Sequence, residues 1–144
     1  MQDIRSSDPK ALVRALFAPI AEDMAAVDAI IRKELDSDVP RMREIGEHIV
    51  SAGGKRMRPA LLMLICRALG YEGELHRYLG ATIELLHTAT LMHDDVVDES
   101  AVRRGKPSVY AKWGPSVAIL SGDAMMICAY RLLSEVPAEL LPRI

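Results

Sequence analysis

The stretch from Glu84 to Gly105 has polar residues separated by helical turns, and this spacing constrains the fold more than any other part of the chain. Asp94 and Asp98 are four residues apart, so a helix directs both carboxylates to one face, and His87 lies two turns earlier on the same side. Asp95 lies about 100° further round the helix. The pattern therefore predicts a helix that presents two carboxylates together.

The paired carboxylates indicate a candidate site for a hard cation. Two like charges one turn apart destabilise an isolated helix by about 0.2–0.5 kcal/mol, and Glu99 adds a third acid nearby. All the candidate ligands are oxygens, and Mg²⁺ typically takes one or two carboxylates and completes its shell with water and substrate phosphate. A solvated helix end with surface charges is the alternative, and the DDxxD pattern alone does not decide between the two.

The composition predicts an all-α fold. The chain has 144 residues, of which 50% are hydrophobic and only 4% aromatic, so the core consists of small and aliphatic side chains that suit packed helices. The net charge of −2 argues against a nucleic-acid surface. We predict no transmembrane segment, since no stretch reaches about eighteen uncharged apolar residues. Cys66 and Cys128 are predicted to be buried free thiols, which fits a reducing cytoplasm.

Prolines and glycines divide the chain into helices. The predicted helices span residues 9–35, 40–51, 59–69, 74–98 and 115–134. Pro19 is expected to bend the first helix and Gly70 to end the third, which is apolar almost all round and is expected to be central. Residues 100–114 are expected to form a loop, and no segment has strand periodicity. Long apolar helices of this number are buried well only when further helices cover them. We therefore expect this chain to be the N-terminal part of a larger helical domain; a complete small bundle is the alternative.

Two short basic segments flank the acidic helix. The segment from Gly53 to Pro59 reads GGKRMRP and places three cations on a glycine-containing turn directly before a helix, an arrangement suited to an oxyanion. It lacks P-loop spacing, and a basic surface turn is the alternative. The segment from Arg103 to Lys106 supplies a second cluster of cations. Together with the carboxylates, the two segments favour binding of a phosphate-containing ligand.

Four further polar residues lie within the predicted helices. His87 lies about 10 Å along the helix from Asp94, at 1.5 Å per residue, which suits a diphosphate contact, although a lone histidine among leucines is also a common semi-buried residue. His93 faces another direction and is predicted to be structural. Glu84 is expected to support His87, and Asp123, in an apolar helix, is expected to form a buried hydrogen bond.

The motifs GGKRMRP, HTATLMHDDVVDES and RRGKP, in this order, resemble the N-terminal half of a trans-isoprenyl diphosphate synthase of the polyprenyl synthetase family. The sequence of these motifs is most similar to the long-chain octaprenyl, solanesyl and decaprenyl members, and the resemblance covers roughly residues 52–122. It implies an isoprenoid-synthase-type helical bundle around a central cavity, of which this chain supplies the first five or six helices. It also implies a homodimer.

The resemblance assigns roles residue by residue. It implies that Mg²⁺ binds Asp94 and Asp98, with Asp95 as a further candidate ligand. The residues implied to hold the diphosphate of isopentenyl diphosphate are Lys55, Arg58, His87 and Arg104. Arg103 is implied to contact the allylic diphosphate. The implied catalytic set is Asp94, Asp98, Lys55 and Arg103.

The implied reaction adds isopentenyl diphosphate to an allylic diphosphate such as farnesyl diphosphate, releases diphosphate and gives a long all-trans chain for a quinone side chain. The growing chain is expected to pass Thr90, Ala89, Leu86 and Ile83. In the family, bulky aromatic residues four or five positions before the first aspartate close this path, and here those positions are Thr90 and Ala89. We therefore predict a long product, which Ala89→Phe should shorten.

Three other interpretations account for parts of the same sequence. A terpene cyclase shares the aspartate motif but has no need of a second diphosphate site, so the two basic segments count against it. An inert truncated or regulatory subunit could bind diphosphate and depend on another chain. A plain helical bundle does not explain three ordered motifs. Because the family's second aspartate-rich motif is absent from this sequence, we expect the 144 residues alone to be inactive.

Overall fold

The computed structural model describes residue 11 and residues 15–138, and it confirms the all-α prediction. Residues 15–17 are helical and lead into a 3₁₀ helix. The elements are the 3₁₀ helix Ala18–Ile20, α1 Ala21–Leu35, α2 Pro40–Ser51, α3 Met57–Ala68, α4 Leu75–Val97, β1 Val102–Arg103, β2 Lys106–Pro107, α5 Val109–Trp113 and α6 Pro115–Leu133. The predicted start of the first helix near residue 9 lies outside the described residues.

Proline and glycine set several helix boundaries as predicted. Pro19 lies in the 3₁₀ helix that interrupts the first helical segment, and Pro40 and Pro115 occupy the first turns of α2 and α6. Gly70 ends α3 with φ +70, and the amide of Tyr71 donates to the carbonyl of Cys66 at 2.9 Å. This is the hydrogen bond of a Schellman motif, in which glycine takes the left-handed position.

The prediction of a loop over residues 100–114 was wrong. Val102 pairs with Pro107 and Arg103 with Lys106 in a two-residue antiparallel hairpin. The two turn residues, Arg104 and Gly105, have φ values of +53 and +76, as the hairpin-favouring type I′ turn requires. The short helix α5 follows the hairpin.

Helix α4 occupies the centre of the fold and packs against α1, α3 and α6. Its contact with α6 is close because Gly122 has no side chain: a Cβ there would lie 2.4 Å from Nε2 of His93. The ring of His93 also lies 3.2 Å from the carbonyl oxygen of Ile119. His93 therefore links α4 to α6, which agrees with the structural role expected for it.

Helix α3 is more exposed than its sequence indicated. Met57, Leu61 and Ile65 on α3, and Leu69 directly after it, follow at four-residue spacing, and their exposed fractions run from 48% to 81%. The apolar sequence of α3 is compatible with burial on all sides, but the described residues supply neighbours on one side only. Among them, α4 and not α3 is the central helix.

Two predictions about buried polar groups need correction. Asp123 is exposed and lies 3.4 Å from Nε2 of His93, so it does not form a buried hydrogen bond. Cys66 and Cys128 are free, as predicted, but half-buried. Partial burial raises the pKa of both thiols.

One helix among the described residues, α6, has the length and apolar composition that could span a membrane, with a mean hydropathy of 1.4. This is weak evidence, because the core helix of a soluble protein meets the same criteria. The buried side of α6 packs on α4.

Candidate active site

The last turn of α4 presents the paired carboxylates. Asp94 and Asp98 are both exposed, and the amide of Asp98 donates to the carbonyl of Asp94 at 2.8 Å, so the helical geometry continues to the second aspartate. Within residues 15–138, no group of three or more His, Cys, Asp or Glu forms a metal site. Two exposed carboxylates fit Mg²⁺, which needs only one or two and takes its other ligands from water and phosphate.

Asp95 has a different environment from the other two aspartates. It is 3% exposed and accepts a hydrogen bond from Nε of Arg103 at 2.9 Å and a second from Nη2. The hydrogen bond with Asp95 raises the pKa of Arg103. The ion pair therefore joins the end of α4 to the hairpin, and it places Arg103 beside the carboxylate face.

The hairpin packs on the end of α2. Nζ of Lys106 donates to the carbonyl of Ser51 at 2.7 Å, and the ring Nε2 of His48 lies 2.9 Å from the carbonyl oxygen of Pro107. Arg104 donates to the carbonyl of Gly53. His48 and Ser51 were not predicted to contact the hairpin, because they lie in an ordinary amphipathic helix and belong to no motif.

These contacts bring the two basic segments together. Gly54 accommodates the guanidinium of Arg104 because a Cβ at this position would lie 2.3 Å from Nη1. A pocket of about 490 Å³ opens beside this contact, and its lining includes Lys55, Arg58 and Arg104. The pocket therefore combines cations that are almost fifty residues apart in sequence.

Arg56, the middle cation of the turn, forms ion pairs outside the cation cluster. Its Nη1 donates to Oε1 of Glu84 at 2.9 Å and its Nε donates to Oδ1 of Asp28 at 3.1 Å. Glu84 was expected to support His87, but in the structure it pairs with Arg56. Nothing in the sequence of GGKRMRP distinguishes Arg56 from Lys55 and Arg58.

His87 lies within the field of both basic segments. Burial lowers its pKa most, and the positive charge of Arg58 lowers it further, while Glu84 opposes the shift. Arg104 and Arg103 lower the pKa in the same direction. An imidazole that is influenced by three arginines lies where an anion would be favoured.

The residues predicted to line the product path differ in exposure. Thr90 is exposed, Leu86 is half-buried and Ile83 is 39% exposed, so these three lie towards the open side of α4. Ala89 is 0% exposed and belongs to the hydrophobic core. In the described residues, Ala89 is therefore separated from the open face by its position on the helix.

Sequence comparison identifies the family. The model of the Polyprenyl synthetase family matches residues 39–143 of this chain. The chain belongs to the polyprenyl synthetase family. The resemblance drawn from the three motifs is therefore confirmed.

Similar members of the polyprenyl synthetase family include long-chain enzymes. The chain is 47% identical over 116 residues to octaprenyl diphosphate synthase of Escherichia coli, a match that covers 81% of this chain and 36% of that protein. It is 44% identical over 127 residues to an all-trans-nonaprenyl-diphosphate synthase of Rhodobacter capsulatus, covering 88% of this chain and 39% of that protein. The chain thus spans less than half the length of these relatives.

Solved structures of the polyprenyl synthetase family share the fold. A decaprenyl diphosphate synthase from Rhodobacter capsulatus matches with a TM-score of 0.83 and 42% identity, over 89% of this chain and 40% of that one. A polyprenyl synthase from Caulobacter crescentus complexed with calcium and isoprenyl diphosphate matches with a TM-score of 0.83 and 38% identity, over 88% and 39% of the respective chains. The isoprenoid-synthase-type helical fold is confirmed.

Proposed function

We propose that the full-length protein is a prenyltransferase that condenses isopentenyl diphosphate with an allylic diphosphate to give a long all-trans polyprenyl diphosphate. The observation that carries the proposal is the contact between the two basic segments beside His87, on the helix that ends in the exposed Asp94 and Asp98. The names of the long-chain relatives support the reaction and the class of product. A role in supplying a quinone side chain in the cytoplasm is part of the same proposal.

The reaction breaks the allylic C–O bond, forms a C–C bond to isopentenyl diphosphate and releases diphosphate and a proton. Two diphosphate groups are therefore present at once and need separate cations. Lys55, Arg58 and Arg104 line one pocket and bind the diphosphate of isopentenyl diphosphate. Arg103, held by Asp95 next to the carboxylate face, contacts the allylic diphosphate.

Asp94 and Asp98 would hold Mg²⁺. When bound, the ion stabilises the negative charge that develops on the departing diphosphate. The part played by the chain itself is to keep the two carboxylates one turn apart and exposed, while the apolar sides of the surrounding helices exclude water. The Caulobacter relative was solved with calcium and isoprenyl diphosphate, which supports a divalent ion and a diphosphate ligand in this fold.

The test is synthesis by the full-length protein from radiolabelled isopentenyl diphosphate, farnesyl diphosphate and Mg²⁺. We expect labelled products longer than the C20 stage, and none when EDTA removes the metal. Products of C15 alone from an active enzyme would contradict the long-chain proposal. No incorporation at any allylic chain length would contradict the prenyltransferase proposal.

A catalytically inert subunit that binds diphosphate but depends on another chain is the second candidate. The same assay separates the two candidates when the 144-residue chain, the full-length protein and their mixture are compared. Activity of the full-length protein alone supports the enzyme. Diphosphate binding without turnover, with turnover appearing only after a second synthase chain is added, supports the subunit.

We also propose a homodimer. Four large apolar residues of α6 have exposed fractions between 43% and 68%: Ile119, Leu120, Ile127 and Tyr130. Such an exposed apolar surface favours contact with a second copy of the chain. Light scattering on the full-length protein should give twice the chain mass. A monomer at micromolar concentration would contradict this part of the proposal.

A further inference from the structure

We propose that Arg56 and Glu84 form a positioning pair that holds the basic turn in its binding conformation, although neither residue itself binds the diphosphate. The proposal rests on the proposed function, because the ligand of this turn is taken to be the diphosphate of isopentenyl diphosphate. It assigns different tasks to the three cations of GGKRMRP. The outer two, Lys55 and Arg58, bind the ligand, and the middle one fixes the turn.

The backbone of Arg56 is unusual for a residue with a side chain. Its φ of +47 and ψ of +34 lie in the left-handed region, at the residue that caps the N-terminus of α3. Such conformations persist in residues other than glycine where surrounding contacts over-determine them. The side chain of Arg56 is only 15% exposed, so its contacts can supply this constraint.

Those contacts join three helices. Nη1 of Arg56 donates to Glu84 on α4 at 2.9 Å, and Nε donates to Asp28 on α1 at 3.1 Å. The planar guanidinium has donors in a fixed fork and can reach two acceptors in different directions, which an ammonium group does less well. Arg56 therefore fastens the start of α3 to both α1 and α4.

The pair also neutralises the negative charge of Glu84 in the pocket. Glu84 is 2% exposed and belongs to the lining of the pocket that contains Lys55, Arg58 and Arg104. An unpaired buried carboxylate here would be costly and would repel a diphosphate. Arg56 compensates this charge, so the remaining cations of the pocket act on the ligand.

The neighbours of Arg56 are free for that role. Within the part of the chain that the structure describes, neither Lys55 nor Arg58 forms an ion pair, and both are exposed beside the pocket. They lie one residue before and two residues after Arg56. The direction of both side chains therefore depends on the conformation that Arg56 fixes.

The first test is Arg56→Lys in the full-length enzyme. This change keeps the positive charge and removes the fork, so it alters positioning while leaving the charge of the pocket the same. We expect the KM for isopentenyl diphosphate to increase about tenfold, by analogy with the lower end of the loss that follows when a partner orienting a metal ligand is changed. The kcat and the KM for the allylic substrate should stay within about twofold, since those interactions are made elsewhere.

Arg41→Lys is the matched control. Arg41 lies on α2, is 59% exposed and pairs with Glu44 at 2.8 Å, so the same chemical change is made at a surface ion pair. We expect all kinetic constants of this variant to equal those of the wild type. If Arg56→Lys also equals the wild type, or if it raises both KM values equally, the positioning role is refuted.

Glu84→Gln tests the sign of the effect. If Glu84 acted only through its charge, its neutralisation would make the pocket more positive and lower the KM for isopentenyl diphosphate. If it acts through Arg56, the turn loosens and the KM increases. A decrease therefore overturns the proposal and an increase supports it.

Two further measurements keep the outcome decisive. Calorimetry with inorganic diphosphate measures the affinity of the pocket without turnover. A wild-type protein that neither binds inorganic diphosphate nor makes product refutes the proposed function. If the wild type binds it and makes product, and the Arg56→Lys variant has the same affinity and kinetics, only the positioning role is refuted. If Glu84→Gln does not fold by circular dichroism, the double variant Arg56→Gln with Glu84→Gln replaces the ion pair by a neutral one. A raised KM supports the proposal, and a wild-type KM overturns it.

Discussion

Gly54→Ala should weaken binding of isopentenyl diphosphate without unfolding the protein. The new methyl carbon would lie 2.3 Å from Nη1 of Arg104 and 2.8 Å from its Cζ, both far below a normal contact, so the guanidinium must move. Arg104 is proposed to bind the diphosphate, and a hydrogen bond to a charged group contributes about 1.5–3 kcal/mol. If the displaced guanidinium loses about half of this contribution, the affinity for isopentenyl diphosphate falls about tenfold, because about 1.4 kcal/mol is a factor of about ten.

The neighbouring Gly53 gives a matched control. It has a φ of +62, and nothing lies within 4 Å of the Cβ that Gly53→Ala would add. This variant therefore strains the backbone, at about 1 kcal/mol of unfolding free energy, without displacing Arg104.

Calorimetric titration of the full-length protein with isopentenyl diphosphate measures the affinity, and urea denaturation measures stability. We expect Gly54→Ala to affect chiefly affinity and Gly53→Ala chiefly stability. The reasoning fails if Gly54→Ala binds as tightly as the wild type, or if both variants lose affinity equally.

Three other predictions follow from the surroundings of α4. Burial first, and then the charge of Arg58, lower the pKa of His87 in the free protein, while a bound diphosphate favours its protonated form, so affinity should increase as the pH falls below about 6.5. The contribution of His87 to stability has the opposite dependence: it is present above that pH and is lost as the pH falls through the lowered pKa. His87→Gln should flatten the pH profiles of both affinity and stability. If the affinity of this variant keeps the wild-type pH dependence, His87 is not the diphosphate contact. Thr90→Phe should shorten the product, as chromatography of the labelled polyprenyl chains would show, because Thr90 is exposed on the face of the carboxylates. Ala89→Phe should instead lower the melting temperature, since Ala89 is 0% exposed and overpacking the core with a larger side chain costs about 1–3 kcal/mol of stability. If Ala89→Phe is stable and shortens the product while Thr90→Phe leaves it unchanged, the product path lies on the other side of the helix.

The helices could be predicted from sequence because local chemistry fixes their ends. Pro40 and Pro115 begin α2 and α6, and Gly70 ends α3, and these effects act within one turn. The hairpin was missed because its strands have only two residues each, too few for an alternating pattern. Gly105 in RRGKP was the available turn signal, but Arg104 beside it also adopts a positive φ, which its residue type does not predict.

The site was predictable where helical spacing decides which side chains share a face. Asp94 and Asp98 are both exposed at the end of α4, as the four-residue spacing predicts, whereas Asp95 is buried and paired with Arg103. The partners of Asp95 and Arg56 were not predictable, because they come from segments whose approach depends on tertiary packing. The exposure of Asp123 likewise follows from the side of α6 that packs on α4, which composition alone does not specify.

The central claim is that Asp94 and Asp98 bind the divalent ion through which the substrate diphosphate is held. The most direct measurement is calorimetry of an allylic diphosphate analogue binding to the full-length protein, with and without Mg²⁺, for the wild type and for the variant with Asp94→Asn and Asp98→Asn. Asp123→Asn, which changes an exposed carboxylate on α6, is the control. We predict that the double variant loses the Mg²⁺-dependent part of the affinity while the control retains it; an equal dependence on Mg²⁺ in all three proteins would contradict the claim.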